Sequence, residues 1–513
     1  MKLVKVYSSA VFGINSTLIT IETSVSKGIN FSLVGLPDNA VKESVQRIFT
    51  ALKTNNLTTA QNRVVINMAP ADVKKEGAAY DLPLAIGLLA ANELIPDAGL
   101  SKYIIMGELA LGGELRPIKG VLPIAIMARE MEFEGFILPE ENAKEAAVVD
   151  KLKVYGAADL RAVVDFLNGK KNIEPVTVNT REEFYRNISL HAADFADVRG
   201  QENVKRAMEV AAAGGHNIIM VGPPGAGKTM LAKRLASIIP PLSLHEALET
   251  TKIHSVAGKI EKNSGLVCRR PFRSPHHTIS DIALVGGGSF PQPGEISLAH
   301  NGVLFLDELP EFRRSVLEVM RQPLEERKIV ISRARFTIEY PASFMLVASM
   351  NPCPCGFYNH PEKKCVCPAG AVKKYLSRIS GPLLDRIDIH IEVVPVPFEK
   401  LSDKSVAEDS NTIRSRVIAA REIQKKRFAK YRGIYCNAMM ETTLIRKYCE
   451  LDSAGQNTIK TAVERLGLSA RAYDRILKVS RTVADLGKSE NILPRHLAEA
   501  INYRNLDREG WSG

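Results

Sequence analysis

No hydrophobic run in this chain of 513 residues is long enough to cross a lipid bilayer. A membrane-spanning helix needs roughly 18 or more consecutive apolar residues, and charged or polar residues interrupt the apolar stretches before that length. The first residues, Met1–Ser9, also lack the sustained apolar core of a signal peptide. We therefore expect a cytoplasmic protein with no membrane partner.

Cysteine is scarce, with seven residues in the whole chain, which argues against a fold held together by disulfides. Four of the seven are grouped as Cys353-Pro-Cys355 and Cys365-Val-Cys367. In a reducing compartment two such pairs can give four thiolates to Zn²⁺, although a gap of one residue is tighter than the common gap of two. The sequence leaves two alternatives open, a zinc site at Cys353, Cys355, Cys365 and Cys367 or a reduced loop without metal.

Internal repeats are absent, and low-complexity sequence is slight. With 45% hydrophobic and 24% charged residues, the chain is too long for one ordinary core, and we expect two to four domains. The formal charge of +11 and the isoelectric point near 9.2 are compatible with a polyanionic partner. An excess of this size spread over the whole length also fits ordinary surface charge, so charge alone decides no function.

The hydrophobic pattern changes along the chain and predicts its domain organisation. The first third alternates strand-like runs such as Arg63–Asn67 with helical runs such as Ala40–Phe49, which is typical of an α+β domain. Pro395 and Pro397 break the chain after the last predicted strand, and the pattern beyond them is helical. The predicted segments are an α+β domain (1–170), a linker (171–190), a nucleotide-binding α/β domain (191–397) and a helical domain (398–513).

The α/β segment contains a glycine-rich run, Gly222-Pro-Pro-Gly-Ala-Gly-Lys-Thr229, between a strand-like and a helical stretch. In this order the glycines let backbone N–H groups close around phosphates, and the helix start adds its positive dipole end. Lys228 is expected to meet the β and γ phosphate oxygens, and Thr229 to hold Mg²⁺. The residues predicted to bind ATP here are Gly222, Pro223, Pro224, Gly225, Ala226, Gly227, Lys228 and Thr229.

Two later strands bring further polar residues to the same predicted site. Val303–Leu306 is an apolar strand that delivers Asp307 and Glu308 to the carboxyl edge of a parallel sheet. We expect Asp307 to hold Mg²⁺ and Glu308 to polarise the attacking water. Phe344–Met350 is a second apolar strand, and it ends at Asn351, whose amide can order the same water.

Arg386 stands just before another predicted strand, within Ser380-Gly-Pro-Leu-Leu-Asp-Arg-Ile-Asp388. An arginine in this place can reach the γ-phosphate held by a neighbouring subunit and stabilise charge in the transition state. The alternative is an ion pair within the chain, made with Asp385 or Asp388.

Three segments are candidates for gripping a substrate. Lys328–Tyr340 predicts two alternating strands around a tight turn, with Arg333 and Arg335 near its tip. Arginines at a hairpin tip suit contacts with DNA phosphates, and solvated edge charges are the alternative. The small, glycine-rich stretch Gly286–Gly294 is a candidate pore loop. Arg414–Phe428 is a basic amphipathic helix that either follows nucleic acid or presents a solvated face.

These motifs resemble those of the AAA+ ATPases, in particular the magnesium-chelatase-like branch that includes the ComM/YifB family. The resemblance covers essentially the whole chain. It implies an α/β fold in which a P-loop AAA+ core has a parallel sheet with helices on both faces, followed by a C-terminal helical lid. It also implies a homo-oligomeric ring, a hexamer. The motifs that carry it are Gly222–Thr229, Arg273-Ser-Pro-His-His277, Pro293–Leu309, Asn351-Pro-Cys-Pro-Cys-Gly356 and Ser380–Arg386.

The same resemblance implies roles for three polar residues. It makes Asn351 the sensor 1 residue and Arg386 the arginine finger. It makes Arg471, within Leu468-Ser-Ala-Arg-Ala-Tyr-Asp-Arg475 of the helical lid, the sensor 2 residue.

The front segment resembles the proteolytic domain of Lon-type proteases, an α+β fold of the ribosomal S5 domain 2 kind. Cleavage in that family requires a Ser-Lys dyad. Ala78 and Ala79 stand where the nucleophilic serine belongs, and Gly120-Val-Leu-Pro123 lacks the partner lysine. Without an activated hydroxyl there is no acyl-enzyme route, so we expect a scaffold or a nucleic-acid collar.

Three functions compete at this point: a DNA-remodelling motor, a magnesium-chelatase-type motor subunit for metal insertion, and an ATP-dependent protease. The missing dyad argues against the protease. The front segment and the cysteine pairs depart from chelatase motor subunits and match the ComM/YifB pattern. The resemblance thus implies a DNA helicase, acting on single-stranded or branched DNA, that promotes branch migration in homologous recombination and natural transformation.

Overall fold

The computed structural model describes residues 2–57, 62–187, 193–261, 264–288, 291–333, 336–358, 360, 362–396 and 407–504. They form a front unit (2–187), a central unit (193–396) and a helical unit (407–504). The predicted domain boundary at 397/398 and the hairpin residue Arg335 lie outside the described residues.

The front unit is built on a seven-stranded mixed sheet with the order β3-β4-β2-β1-β5-β8-β9. β1 and β2 pair in an antiparallel hairpin whose two-residue turn uses Gly13 at φ +64°, a backbone conformation that glycine adopts without strain. The strands of the front unit are β1 (Lys2–Phe12), β2 (Asn15–Ser26), β3 (Asn30–Val34), β4 (Arg63–Ala69), β5 (Tyr103–Ile105), β6 (Glu108–Leu109), β7 (Leu115–Arg116), β8 (Gly135–Pro139) and β9 (Lys153–Ala157). Its helices are α1 (Asn39–Thr54), α2 (Asp81–Ala91), α3 (Val121–Glu130), α4 (Ala143–Ala146), α5 (Leu160–Leu167) and α6 (Thr180–Asn187).

The central unit contains a five-stranded sheet with the order β11-β14-β17-β10-β18, in which all described pairs are parallel. Its strands are β10 (Ile218–Val221), β11 (Phe272–Arg273), β12 (Gly286–Gly287), β13 (Gln292–Pro293), β14 (Val303–Leu306), β15 (Lys328–Arg333), β16 (Phe336–Pro341), β17 (Met345–Met350) and β18 (Ile389–Glu392). Its helices are α7 (Glu202–Gly214), α8 (Lys228–Ile238), α9 (Leu244–Ala257), α10 (Asp281–Val285), α11 (Glu295–Leu298), α12 (Arg314–Val319), α13 (Arg321–Glu326), α14 (Ala371–Leu376) and α15 (Gly381–Leu384).

The register of this parallel sheet decides where the functional residues meet. Val221 pairs with Met350, and Leu306 pairs with Ala348, so β10, β14 and β17 end at the same edge. All three strands are buried along their length, as expected for a parallel sheet covered on both faces. Whatever follows each strand therefore comes together at the carboxyl edge.

The helical unit packs on the central unit through a shared core. Helix α16 begins after Asp409, whose carboxylate accepts from the Thr412 backbone N–H at 2.9 Å. Its apolar residues, including Val417 and Phe428, are buried against α7 and α8, while Lys425 and Lys426 are exposed. The apolar face of this basic helix is thus a packing surface. The helices are α16 (Ser410–Phe428), α17 (Thr442–Tyr448), α18 (Ser453–Leu466), α19 (Ala470–Leu486) and α20 (Pro494–Asn502).

The front unit is joined to helix α9 of the central unit. The Gly120 N–H donates to the Ser255 carbonyl at 3.0 Å. The buried Glu145 carboxylate accepts from the Leu122 N–H at 3.1 Å and from the Ser255 hydroxyl. Burial raises the pKa of Glu145, although these hydrogen bonds oppose the shift. Apolar residues of both units surround this contact in one core.

The segment predicted as a linker, residues 171–190, is packed against the front unit along part of its length. The Val176 N–H donates to the Val154 carbonyl at 2.8 Å, and α6 follows with Phe184 buried. As a domain boundary the segment stays a prediction. In the stretches that the structure describes, no helix is both long and apolar enough to span a membrane.

Candidate functional site

The glycine-rich run connects β10 to α8 at the carboxyl edge of the parallel sheet. Gly225 and Gly227 have φ of +82° and +87°, and a Cβ added at Gly222 would lie 2.2 Å from the Val393 carbonyl oxygen. Residues with side chains would be strained or would clash at these positions. Helix α8 starts at Lys228, so the loop closes around the helix N-terminus, which suits phosphate.

Lys228 is held inside this loop by three acceptors. Its Nζ donates to the Gly222 carbonyl at 2.7 Å, to the Pro223 carbonyl at 2.9 Å and to Asn351 Oδ1 at 3.1 Å. Burial lowers the pKa of the ammonium group, and the negative charges of Asp307 and Glu308 oppose that shift. The lysine and the predicted water-ordering amide therefore belong to one hydrogen-bonded group.

Asp307 follows β14 and faces the same loop. Its Oδ2 accepts from the Thr229 hydroxyl at 2.7 Å, and its Oδ1 accepts from the Ser349 hydroxyl on the neighbouring strand. A carboxylate beside a hydroxyl at a phosphate loop is the oxygen-rich setting that Mg²⁺ prefers. The side chains of Thr229 and Asp307 thus fit a Mg²⁺ site. Ser349 was not predicted, although its place one residue before the strand end, opposite β14, points to it.

Glu308 lies next to this oxygen group with its side chain 54% exposed. Its backbone is left-handed, with φ +54°, which is uncommon for a residue with a side chain and is found where a site dictates the conformation. His277 Nδ1 lies 3.7 Å from Glu308 Oε2. Nothing in the sequence pattern around His277 points to this contact.

The contact between His277 and Glu308 has a topological origin. β11 pairs with β14 in parallel, so the chain that leaves β11 reaches the edge where Asp307 and Glu308 stand. His276 instead contacts the Thr278 hydroxyl, at 2.9 Å from its Nδ1. The two imidazole rings also pack on each other, with their centroids 4.1 Å apart.

Gln201 is a further residue at the phosphate loop that sequence reasoning missed. Its Nε2 donates to the Ala226 carbonyl at 3.0 Å and to the Val394 carbonyl at 3.1 Å. It thereby ties the loop to the chain that follows β18.

Arg386 is buried and bound within its own chain. Its guanidinium lies 2.5 Å from Glu325 Oε1 and donates to the Pro382 carbonyl at 2.6 Å. Its Nε has no hydrogen-bond partner among the described residues. The ion pair weighed from the sequence, with Asp385 or Asp388, is therefore not the one the structure has.

Asp388 belongs to a buried contact between the central unit and the helical unit. Its carboxylate lies 3.0 Å from Arg475 of α19 and 3.4 Å from His216 Nδ1. Burial would raise the pKa of this carboxyl group, but Arg475 and His216 outweigh that effect and hold the pKa below its ordinary range. Arg471 lies one turn earlier on α19 and is exposed.

The four grouped cysteines meet at one point, just beyond the end of β17. All four sulfur atoms lie within 4.8 Å of one another, and the Cys353–Cys355, Cys355–Cys365 and Cys353–Cys365 distances are 3.3, 3.5 and 3.7 Å. A disulfide needs about 2.05 Å, whereas four sulfurs about 2.3 Å from one tetrahedral Zn²⁺ lie about 3.8 Å apart. Cys353, Cys355, Cys365 and Cys367 therefore fit a Zn²⁺ site. The other cysteines, Cys268, Cys436 and Cys449, are buried and form no disulfide.

Two segments from different parts of the chain contact the β15–β16 hairpin. The hairpin forms as predicted, and its last pair is Arg333 with Phe336. A Cβ added to Gly13 of the β1–β2 turn would lie 3.0 Å from the Ile338 side chain, and one added to Gly286 would lie 3.2 Å from the Ile331 side chain. The front unit and the glycine-rich insertion thus both touch the hairpin.

Models of magnesium chelatase match all three units of the chain. The model of magnesium chelatase, subunit ChlI, matches residues 194–401, and that of subunit ChlI of Mg-chelatase matches residues 21–142. The model of the ChlI C-terminal region matches residues 407–504. "Competence protein ComM" of Haemophilus influenzae is 44% identical over 510 residues, 99% of this chain and 98% of that protein. The chain belongs to the ComM/YifB family of magnesium-chelatase-like AAA+ proteins.

A second relative gives the same result for the ComM/YifB assignment. The "Uncharacterized protein YifB" of Salmonella typhimurium is 44% identical over 513 residues, which cover 99% of this chain and 98% of that protein. Family membership and the motifs support an ATPase motor that uses ATP and Mg²⁺ and assembles as an oligomer. The predicted fold class, α/β with a parallel sheet and a C-terminal helical region, is confirmed.

The metal-insertion alternative gains no support for this ComM/YifB protein. The magnesium-chelatase 38 kDa subunit of Cereibacter sphaeroides is 26% identical over 177 residues, 31% of this chain and 52% of that protein. Similarity of this extent does not carry a chelatase activity over to the chain.

Proposed function

We propose that this protein is an ATP-hydrolysing ring motor that acts on DNA as a branch-migration helicase in homologous recombination and natural transformation. The observation that most directly supports ATP hydrolysis is the pair of hydrogen bonds at the carboxyl edge of the sheet, Lys228 to Asn351 and Thr229 to Asp307. Full-length similarity to a protein named for competence supports DNA as the substrate.

Hydrolysis requires a water molecule to attack the γ-phosphorus while the bond to the β–γ bridging oxygen breaks, which gives ADP and phosphate. Glu308, exposed at the strand end, accepts the proton of that water, and Asn351 orders the water by hydrogen bonding. Lys228 stabilises the negative charge on the transferred group. Thr229 and Asp307 would hold Mg²⁺, which would supply positive charge against the phosphates.

Two arginines outside the phosphate loop supply further positive charge to the nucleotide. Arg386 of a neighbouring subunit reaches the γ-phosphate as an arginine finger once it leaves Glu325, and Arg471 of the helical lid binds the nucleotide in its own subunit. The hexameric ring is part of this proposal, because the site is complete only between two subunits.

DNA is gripped by the turns around the β15–β16 hairpin. Arg333 is the last paired residue of β15. Together with Arg335, which stands two residues later in the sequence, it contacts DNA phosphates. The β1–β2 turn of the front unit contacts Ile338 in the middle of the hairpin, which supports a collar role for that unit. Movement of the hairpin during the ATP cycle drives the strand through the ring.

The cysteine cluster holds a structural Zn²⁺. Four thiolates leave no open coordination position, so the ion supplies fixed geometry and takes no part in hydrolysis. Elemental analysis of the freshly purified chain should give one zinc per chain, and removal of the cysteines should abolish it. If the purified protein lacked stoichiometric zinc and could not take it up, the cysteines would form a reduced loop without metal.

Two variants of the ATP site separate binding from turnover. Lys228→Ala removes the loop's buried cation and should abolish nucleotide binding. Glu308→Gln keeps the shape of the site but cannot take the proton, so nucleotide should bind normally and hydrolysis should stop. Binding is measured with a fluorescent ATP analogue and turnover by phosphate release. Normal hydrolysis by both variants would overturn the site assignment.

A further inference from the structure

The loop that carries the cysteines starts from the ATP site itself. Asn351, the acceptor for Lys228 at 3.1 Å, is followed by a single proline and then by Cys353, which is fully buried. Two residues of backbone span at most about 7 Å. The position of Cys353 therefore restricts the position of the Asn351 side chain.

The next residues return to the phosphate loop. The Gly356 N–H donates to the Cys353 carbonyl at 3.0 Å and closes a turn. Gly356 has φ +84°, and a Cβ added there would lie 2.5 Å from Pro224 Cδ. The turn thus presses against Pro224, in the middle of the phosphate loop, with no room for a larger residue. Cys353 and Cys355 both lie in this turn.

The turn has no regular secondary structure to support it. The other two ligands, Cys365 and Cys367, come from chain ten or more residues further on, and the cluster brings their sulfur atoms to the turn. Cys365 lies 3.7 Å from Cys353 and 3.5 Å from Cys355. Thiols without a metal interact only weakly with one another, whereas Zn–thiolate bonds fix the positions of all four sulfur atoms.

We propose that the metal bound by the four cysteines is a positioning element of the ATP site. It holds the turn against Pro224 and fixes Asn351 beside Lys228, so loss of the metal weakens nucleotide binding. This inference rests on the proposed ATPase function and on zinc at the cluster. It makes nucleotide binding at the ATP site depend on the metal at the cysteine cluster.

The first test removes the metal through the ligands farthest from the ATP site. The double variant Cys365→Ser with Cys367→Ser should lose zinc and bind a fluorescent ATP analogue at least tenfold more weakly. The matched control, Cys268→Ser with Cys449→Ser, replaces two thiols that lie outside the cluster and should keep both zinc and nucleotide affinity. Reversible chelation of wild-type protein, followed by zinc re-addition, gives the same comparison if the first double variant fails to fold.

The second test breaks the contact and keeps the metal. Gly356→Ala places a methyl group against Pro224 at an unfavourable φ, so it should retain one zinc per chain but lose nucleotide affinity. Nucleotide affinity within twofold of wild type after zinc loss would overturn the inference and leave the ATPase proposal intact. Failure of zinc-loaded wild-type protein to bind the nucleotide would overturn both.

Discussion

At the residue scale, the side chains proposed for the ATP site come from separate motifs and lie together at the carboxyl edge of the central sheet. Lys228 and Thr229 lie in one run, and Asp307 and Glu308 in another. The structure brings them together with Asn351 by hydrogen bonds. Their catalytic roles remain the proposal made above.

The residues missed are those whose partners are distant in sequence. His277 reaches Glu308 only because β11 lies beside β14 in the sheet, and Gln201 reaches the phosphate loop from the start of α7. Arg386 was predicted as a finger or as a partner of a nearby aspartate, yet it pairs with Glu325. Motif spacing contains no information about such contacts.

The contact between His277 and Glu308 yields a prediction on turnover. His277→Ala frees the Glu308 carboxylate from its neighbour, so kcat should fall about tenfold while KM stays within twofold, because misplacing a reacting group affects chemistry more than binding. His277→Gln should restore part of the rate through its amide. Steady-state ATPase assays measure both constants.

His245 provides the matched control, because it is an exposed histidine of α9 that lies near Glu249 and not near Glu308. His245→Ala should have wild-type kcat. Equal rates for wild type and His277→Ala would remove His277 from the site, and a raised KM at constant kcat would assign it to binding.

At the scale of elements, long periodic segments and the hairpin were predicted correctly, because each depends on local pattern. The order of strands in the front sheet was not predictable from local pattern. In that order β1 lies between its sequence neighbour β2 and the distant strand β5. The helix at Thr180–Asn187 was missed because its polar residues resemble a linker. Its buried Phe184 contacts a core formed elsewhere in the chain.

The β15–β16 hairpin yields a prediction on DNA binding. Arg333→Ala with Arg335→Ala should weaken binding to single-stranded and branched DNA. It should also lower the slope of log affinity against log salt by about two, since each phosphate contact contributes about one. Titration of labelled DNA at several salt concentrations measures both quantities.

A control for the hairpin must remove the same charge elsewhere. Lys460→Ala with Arg465→Ala changes two exposed cations on α18 and should leave the salt slope nearly unchanged. If the hairpin variant and this control behaved alike, only general surface charge would be involved, and the hairpin would have no place in the DNA site.

At the scale of the whole molecule, similarity along the entire chain made the family predictable, and the models of ChlI match each unit in turn. The joining of the front unit to α9 was not predictable. Glu145 and Ser255, which make that contact, lie 110 residues apart in the sequence and outside the motifs described above. The ring remains a prediction, because it depends on contacts between chains.

A mixing experiment tests whether the site is shared between subunits. Lys228→Ala and Arg386→Ala should each be inactive alone. When the two are mixed and allowed to assemble, some interfaces should combine an intact phosphate loop with an intact arginine, and part of the ATPase activity should return. A finger that acts within its own subunit would give no recovery.

The mixing experiment needs its own control, since Arg386 is buried beside Glu325. The double variant with both substitutions, mixed with Lys228→Ala, contains no intact loop and should stay inactive. Size-exclusion chromatography of Arg386→Ala shows whether it still assembles, and Arg386→Lys replaces it if it does not.

The most direct test of the motor on DNA is the ATPase rate of the wild-type protein with and without a branched DNA junction, with a tetrapyrrole and Mg²⁺ as the chelatase control. The account predicts that the junction stimulates hydrolysis several-fold, that the tetrapyrrole does not, and that Glu308→Gln hydrolyses nothing in either case. An ATPase rate that the junction leaves unchanged would contradict a DNA motor.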